Sequence, residues 1–297
     1  MADAVGIIGL GRMGMPTAKK FIKAGYQVVG CELRQEAIDE LQSAGGEAVE
    51  NGKRVAQKAK TVIVFVLNDQ QVINVVTGKD GVLEGCSDNS IVICMATIDR
   101  NNLERVARHC SERGVGFVDS PCTGGPARVE NGTLTMIAAA PKELLEACRP
   151  VLEVLGQIIE AGETPGLGQA IKHCNQLLIG TTHAAVMEII ALAKKSGLDP
   201  RLVCKVIASG IGGSDYFRLL SASVLEDKPS PGGMGQLFKD IDLVINDSRR
   251  VELPLLVATA AYQYFLAAQS LGMENQDSSK LIDVIARFSD PKVPDSS

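Results

Sequence analysis

Short apolar runs of strand length alternate with helix-spaced segments through the first half of the chain, and past residue 164 the strand pattern stops. Residues 5–10 (VGIIGL), 26–31 (YQVVGC), 61–67 (TVIVFVL), 91–95, 116–118, 134–140 and 158–160 read as strands, with 47–50 a weaker one. Helical spacing fills 17–24 and 35–44 between them. That alternation predicts an α/β fold with a doubly wound parallel sheet. The second half reads as all-helical, with candidates at 169–196, 200–208, 215–225, 234–250, 254–271 and 278–288. The change of pattern predicts two domains, 1–164 and 165–297, joined by the first and longest of these helices.

That long helix follows Thr164-Pro165-Gly166 and Gly168, and Gly197 with Asp199-Pro200 closes it. Its apolar residues, among them Ile171, Leu178, Val186, Met187 and Ile190, cover more than one face, so much of it is expected to be buried. Within it stands Lys172, with Asn175 and Gln176 three and four residues on and therefore on the same face. Two readings compete for Lys172. One is a lysine whose stem covers apolar surface while its amine reaches water. The other is a lysine held in an apolar setting, where a depressed pKa suits it to act as a base.

The first strand runs straight into Gly9-Leu10-Gly11-Arg12-Met13-Gly14, and a helical segment follows. This G-x-G-x-x-G between strand and helix predicts a Rossmann-type dinucleotide site. Gly9 allows the tight turn, Gly11 the approach of a pyrophosphate and Gly14 the close packing of helix on strand. The second strand ends at Glu32, where a carboxylate accepts hydrogen bonds from ribose hydroxyls and repels a 2′-phosphate, favouring NAD over NADP. Arg34, two residues beyond, is placed to turn toward such a phosphate. Leu67 and Asn68 end the 61–67 strand, where a loop could cover the cofactor. Thr97 follows the 91–95 strand and reads equally as a nicotinamide contact or as the cap of the next helix.

Residues 119–134 (DSPCTGGPARVENGTL) offer a further candidate. Gly124 and Gly125 after Thr123 present consecutive N–H groups suited to a carboxylate, though a plain Gly-Pro connection reads the same. Arg128 suits an acidic substrate or a solvated loop position. Cys122 is either a reactive thiol or an inert buried one. In 236–247 (QLFKDIDLVIND), Lys239 and Asp240 sit among apolar neighbours, as a structural pair or with the lysine lining a cleft.

Composition narrows the classes. The chain has 297 residues, 45% hydrophobic and 22% charged, values of an ordinary globular protein. Aromatic content of 4% with no tryptophan, and a net charge of −5 without a basic run, argue against nucleic-acid and anionic-membrane partners. No run reaches the roughly 18–20 uncharged apolar residues of a membrane span, and the early start of the first strand leaves no room for a signal peptide. The eight cysteines are scattered, without C-x-x-C or zinc-ligand spacing, as reduced thiols of a cytoplasmic protein. No metal and no disulfide are expected.

Four motifs taken together, GLGRMGMP, DSPCTGG…NGTL, GLGQAIKHCNQ and KDIDLVIND, resemble the β-hydroxyacid dehydrogenase family, in the same order and across nearly the whole chain. The family includes 3-hydroxyisobutyrate, tartronate-semialdehyde and L-threonate dehydrogenases. The resemblance implies a Rossmann domain, an all-α domain, an active site in the cleft between them, and homodimers or homotetramers built on the helical domains. It also implies that Lys172 is the catalytic lysine, that Thr123, Gly124 and Gly125 bind the substrate carboxylate, and that Lys239 lies near nicotinamide and substrate. Asn175 and Gln176 then hold the substrate hydroxyl and the lysine. Two departures bear on substrate rather than reaction: Gln176 stands where the family commonly has Asn, and Thr123 where it has Ser. Lys172 followed by Gln176 at the fourth position, with Arg128 in the glycine loop, looks closer to the L-threonate dehydrogenase branch. A 3-hydroxyisobutyrate- or tartronate-semialdehyde-type dehydrogenase or reductase using NADP is the alternative within the family; a non-catalytic dinucleotide-binding protein and an imine reductase are others, and the presence of Lys172 counts against those two.

Overall fold

The computed structural model describes residues 4–289, and side chains as far as 287. The outer ends of the two expected domains, 1–3 and 290–297, lie outside the described residues. The chain divides into two compact units, Met1–Lys172 and His173–Ser297.

The first unit runs β1 (Ala4–Ile8), α1 (Gly14–Lys23), β2 (Gln27–Cys31), α2 (Gln35–Ser43), β3 (Glu47–Ala48), α3 (Gly52–Lys58), β4 (Thr61–Val64), α4 (Asp69–Thr77), α5 (Val82–Gly85), β5 (Ile91–Cys94), α6 (Arg100–Glu112), β6 (Gly116–Asp119), β7 (Cys122–Thr123), α7 (Pro126–Asn131), β8 (Leu134–Ala139), α8 (Lys142–Glu153) and β9 (Gly156–Gly162). One sheet holds all these strands in the order β3-β2-β1-β4-β5-β6-β8-β7, with β9 also paired to β8. Successive strand residues enter different cores: Ile7, Ile63 and Ile93 join one apolar cluster, while Ile8, Val62, Val64, Val92 and Cys94 join another. A sheet buried on both faces needs apolar residues at both parities, which is why its strands read as continuous apolar runs.

From β1 to β6 every pairing is parallel. The run does not continue in one direction, because β8 lies antiparallel to both β6 and β7, and β9 returns parallel to β8. The cause lies in 119–134. β6 and β7 form one extended run, interrupted at Ser120-Pro121, that folds back as a hairpin onto β8; the Pro121 carbonyl still accepts the Ile137 N–H at 2.8 Å. The hairpin loop, with α7 inside it, thereby stands at the carboxyl edge of the sheet.

Local chemistry sets the other boundaries. β4 stops at Val64, three residues before the apolar run ends, because its partner β1 turns away at Gly9. Asn68 begins no open loop. Its side chain caps α4 by accepting the Gln71 N–H at 3.0 Å. Asp99, not Thr97, caps α6, accepting the N–H groups of Asn101 and Asn102.

α9 (Leu167–Lys195) crosses from the first unit into the second. It ends with Leu198 N–H bonded to Ala193 O and Gly197 N–H to Lys194 O, a Schellman arrangement with Gly197 at φ +72°. By length and composition α9 could cross a bilayer, which corrects the expectation that no segment qualifies. Its Lys172, His173, Gln176 and His183 are buried, as in the core helix of a folded protein. Burial is less complete than its sequence suggests: Val186, Met187 and Ile190 are buried, whereas Leu178 and Leu192 are 66% and 68% exposed.

The second unit continues with α10 (Pro200–Ser209), α11 (Asp215–Glu226), α12 (Met234–Arg250), α13 (Leu256–Ser270), a 3-10 turn (Ser278–Lys280) and α14 (Leu281–Ser289). Phe217, Leu220, Ile241, Phe265 and Leu281 centre its core. Inside it His183 is fully buried, with Nε2 2.9 Å from Ser278 O and Nδ1 2.9 Å from Tyr216 Oη. The carbonyl can only accept, so Nε2 carries the proton and Nδ1 accepts from the tyrosine.

Candidate functional site

At the turn between β1 and α1 the glycines divide the work. Gly9 has φ +88°, and a Cβ on Gly14 would lie 1.8 Å from the Gly9 carbonyl oxygen. Gly14 thus lets the helix start close against the loop backbone rather than against the strand. Around Gly11 nothing lies within 4 Å of where a Cβ would be, so this side of the loop is open. In the first turn of α1 the Met15 N–H is taken by Gly11 O and the Thr17 N–H by Met13 O, Pro16 has no N–H, and no acidic residue is present, so the open positions are those of the glycine loop that leads into the helix. An open backbone cradle at a helix N-terminus fits the pyrophosphate of a dinucleotide. Arg12 and Met13 lie between Gly11 and that turn.

Glu32, one residue past β2, is drawn into this loop. Its carboxylate accepts the N–H of Leu10 at 3.0 Å and that of Leu33 at 2.9 Å, and pairs with the Arg34 guanidinium at 3.1 Å. Partial burial pulls its pKa up, but the Arg34 hydrogen bond and the backbone N–H donors outweigh that and hold it below the usual carboxylate value. Arg34 also donates to Leu10 O at 3.2 Å, so it turns toward Glu32 and the glycine loop. Beyond them opens a cavity of about 580 Å³, lined by Gly11, Arg12, Lys19, Lys23, Arg34 and Glu40 among others.

The other expected cofactor contacts are spread along the same carboxyl edge. Leu67 is 57% exposed, and its N–H donates to Gln71 Oε1. Asn68 is engaged as the α4 cap. Thr97, half-buried, follows β5 by three residues.

On the β7–β8 hairpin, Thr123 pairs with Thr135, and the chain then turns through Gly124 at φ +130° and Gly125 at φ +75°. These values favour glycine over any residue with a Cβ. Pro126 opens α7 directly after them. Among the described residues no hydrogen bond takes the N–H groups of Gly124 or Gly125. Arg128 is exposed, and its stem packs over Gly124, where an added Cβ would lie 2.5 Å from its Cδ. Burial pushes the Cys122 thiol up to about 11, against the opposing pull of the Lys172 charge, which makes it an inert thiol near neutrality.

Lys172 is 7% exposed on α9. In the second unit, Gln176 is buried and donates to Asp240 Oδ2, and Asn175 Nδ2 donates to Gln176 Oε1 at 2.8 Å. Lys239 pairs with Asp240 at 2.9 Å, the lysine-carboxylate arrangement that the sequence allows. Sequence reasoning did not single out His173, buried and 3.2 Å from Asp247, or Asp119 and Gln169, fully buried and hydrogen-bonded to each other. An acidic residue ending a buried strand, and a glutamine beside a Gly-x-Gly helix start, were the available signals for the last two.

A mostly parallel α/β sheet in this order, with G-x-G-x-x-G opening α1, defines a dinucleotide-binding protein. The family model for the NAD-binding domain of 6-phosphogluconate dehydrogenase matches residues 4–164, and that for the NAD-binding domain of NADP-dependent 3-hydroxyisobutyrate dehydrogenase matches 166–285. The L-threonate dehydrogenase of Cupriavidus necator is 31% identical over 96% of each chain, and that of Haemophilus influenzae 32% identical over 97% of each. A crystal structure of 3-hydroxyisobutyrate dehydrogenase from Salmonella typhimurium superposes with a TM-score of 0.89 at 27% identity, covering 95% of this chain and 99% of that one. The chain belongs to the β-hydroxyacid dehydrogenase family, as its four motifs imply.

Proposed function

We propose that the protein is an NAD-dependent dehydrogenase of short 3-hydroxyacids, with Lys172 as its general acid and base and L-threonate or a related sugar acid as substrate. The observation that carries this reading is Lys172 itself, nearly excluded from water on α9, in the unit that also holds the glycine turn and the 123–125 loop. Relatives 31–32% identical along almost the whole chain are named L-threonate dehydrogenases. The domain division at 164/165 is supported by family models that match 4–164 and 166–285.

In this reading Gly9, Leu10, Gly11, Arg12, Met13 and Gly14 hold the cofactor pyrophosphate, Glu32 faces its ribose, and Leu67, Asn68, Thr97 and Lys239 complete its contacts. Bound NAD supplies the acceptor for the substrate's hydride. Thr123, Gly124 and Gly125 bind the carboxylate through their N–H groups and the threonine hydroxyl, which fixes the carbinol carbon; such positioning supplies several kcal/mol of the barrier. Lys172 takes the hydroxyl proton onto Nζ and returns it in the reverse direction. Asn175 and Gln176 hold the hydroxyl in line. We further propose that the enzyme acts in the cytoplasm, a reading supported by eight cysteines that are all free thiols, and that it assembles as a homodimer or homotetramer, as the family resemblance implies.

The test is an initial-rate screen with NAD+ and NADP+ against L-threonate, D-glycerate, 3-hydroxyisobutyrate, 3-hydroxypropionate and L-serine. Turnover with NAD+ and L-threonate is expected, and Lys172→Ala should lower kcat by ~10²-fold or more while NAD+ still binds by calorimetry. Near-normal turnover in that variant would sink the assignment of Lys172. Preference for NADP+ would mean that Arg34 rather than Glu32 governs cofactor choice.

A further inference from the structure

Asp119 ends β6 fully buried, with its carboxylate in the core. Oδ2 accepts the N–H of Gly166 at 2.8 Å and that of Gln169 at 3.2 Å, both at the start of α9, and Oδ1 accepts Gln169 Nε2 at 3.2 Å. Gln169, also fully buried, uses both ends of its amide. Nε2 donates a second bond to Ala96 O at 2.9 Å, and Oε1 accepts the Ile98 N–H at 3.1 Å. Even Gly168 takes part: a Cβ there would lie 2.6 Å from Ile137 O and 2.9 Å from Asp119 Oδ2, so the first turn of α9 rests directly on β8 and on this carboxylate.

Three segments are therefore tied at one point. One is 96–98, the turn after β5 that contains Thr97. The second is the end of β6, from which the chain reaches Thr123 four residues later. The third is the start of α9, where Lys172 follows Gln169 by less than one turn. A helix that begins on bonds of fixed length to two strand ends cannot slide or rotate without breaking several of them. Burying the carboxylate works against stability, since burial raises its pKa to about 6 despite its N–H donors. An apolar contact would hold the helix at less cost, and a buried charge is weak evidence for a purely stabilising role.

We propose that Asp119 and Gln169 are positioning residues that set Lys172 in register with the 123–125 loop and the 96–98 turn. The proposal rests on the reading of Lys172 as the proton-transferring group. It assigns to the pair no contact with substrate or cofactor. Its effect is geometric, and a displacement of about 1 Å at the reacting amine is enough to cost on the order of 10²-fold in rate.

The experiment is a double-mutant cycle. Asp119→Asn, nearly isosteric, and Gln169→Asn, which keeps the amide but withdraws it by one methylene from its partners, are each made in the native and in the Lys172→Ala protein, and kcat, KM and NAD+ affinity are measured. In the native background each is expected to lower kcat by roughly 10- to 100-fold, with NAD+ affinity held within about twofold. In the Lys172→Ala background the same substitutions should cost less than about twofold, because the group they position is gone. Equal losses in both backgrounds, or an unchanged kcat in the native one, would overturn the proposal. Should Lys172→Ala alone retain native kcat, the reading of Lys172 fails instead, a distinct result. If Asp119→Asn does not fold, Gln169→Asn carries the same comparison.

Discussion

Asp119 and His183, one in each unit, answer acid with opposite signs. Burial raises the Asp119 pKa from 3.8 to about 6, so the native state holds its proton more tightly than the unfolded chain. Its contribution to stability is complete below the unfolded value and is lost as pH rises through the folded one. His183 is lowered from 6.5 to about 4, chiefly by burial and against the pull of Ser278 O and Asp277. Its contribution is present above the unfolded value and is lost as pH falls through the folded one. Between pH 7 and 5 each shift amounts to about 1–2 kcal/mol, so in the native protein the two nearly cancel. Asp119→Asn should therefore make the melting temperature fall on acidification over this range. His183→Gln should make it hold or rise, with shifts of roughly 2–4 °C per kcal/mol. Melts of both variants that keep the native slope would show that other groups govern the acid response.

Among the elements, most strands buried on both faces were legible, although the apolar run through β4 overshot it by three residues. Continuous apolar runs gave β1, β2, β5 and β6 to within two residues of their ends, because a doubly covered strand leaves no polar face to confuse its period. The reversal at β8 was illegible, since the direction of a strand depends on how the preceding loop folds and not on the strand's own composition. The glycine turn and its neighbours were legible for a different reason: steric demand at a residue can be read from identity alone. Gly14 makes that testable. With the Gly9 carbonyl 1.8 Å from a new Cβ, Gly14→Ala must displace backbone rather than a flexible side chain. Expected are a loss of NAD+ affinity of at least about tenfold and a stability cost of roughly 1–3 kcal/mol, read by calorimetry and urea unfolding. Asp119 and Gln169 stood inside motifs that the sequence singled out, yet their bonds join residues 47 to 73 positions apart. Periodicity does not reach that far.

For the molecule as a whole, the second unit leaves a good deal of apolar surface uncovered. Leu202 and Val206, one turn apart on α10, are 60% and 61% exposed, and Leu256 and Val257 at the start of α13 are 79% and 73% exposed. Scattered single leucines on a surface are ordinary, but a pair one turn apart on one face, as Leu202 and Val206 are, is what an interface core requires. Oligomerisation through the helical domains, implied by family resemblance, would cover them. Light scattering coupled to size exclusion should then give a mass of two or four chains at micromolar concentration. Leu202→Glu combined with Val206→Glu places two charges where a desolvated contact would lie and should reduce that mass. In the isolated chain the same positions face water, so the secondary structure of the variant should stay native by circular dichroism. The melting temperature of the native protein should rise with protein concentration and that of the variant should not, since association with folded partners stabilises by mass action. A native protein of single-chain mass throughout, with a melting temperature independent of concentration, would refute self-association.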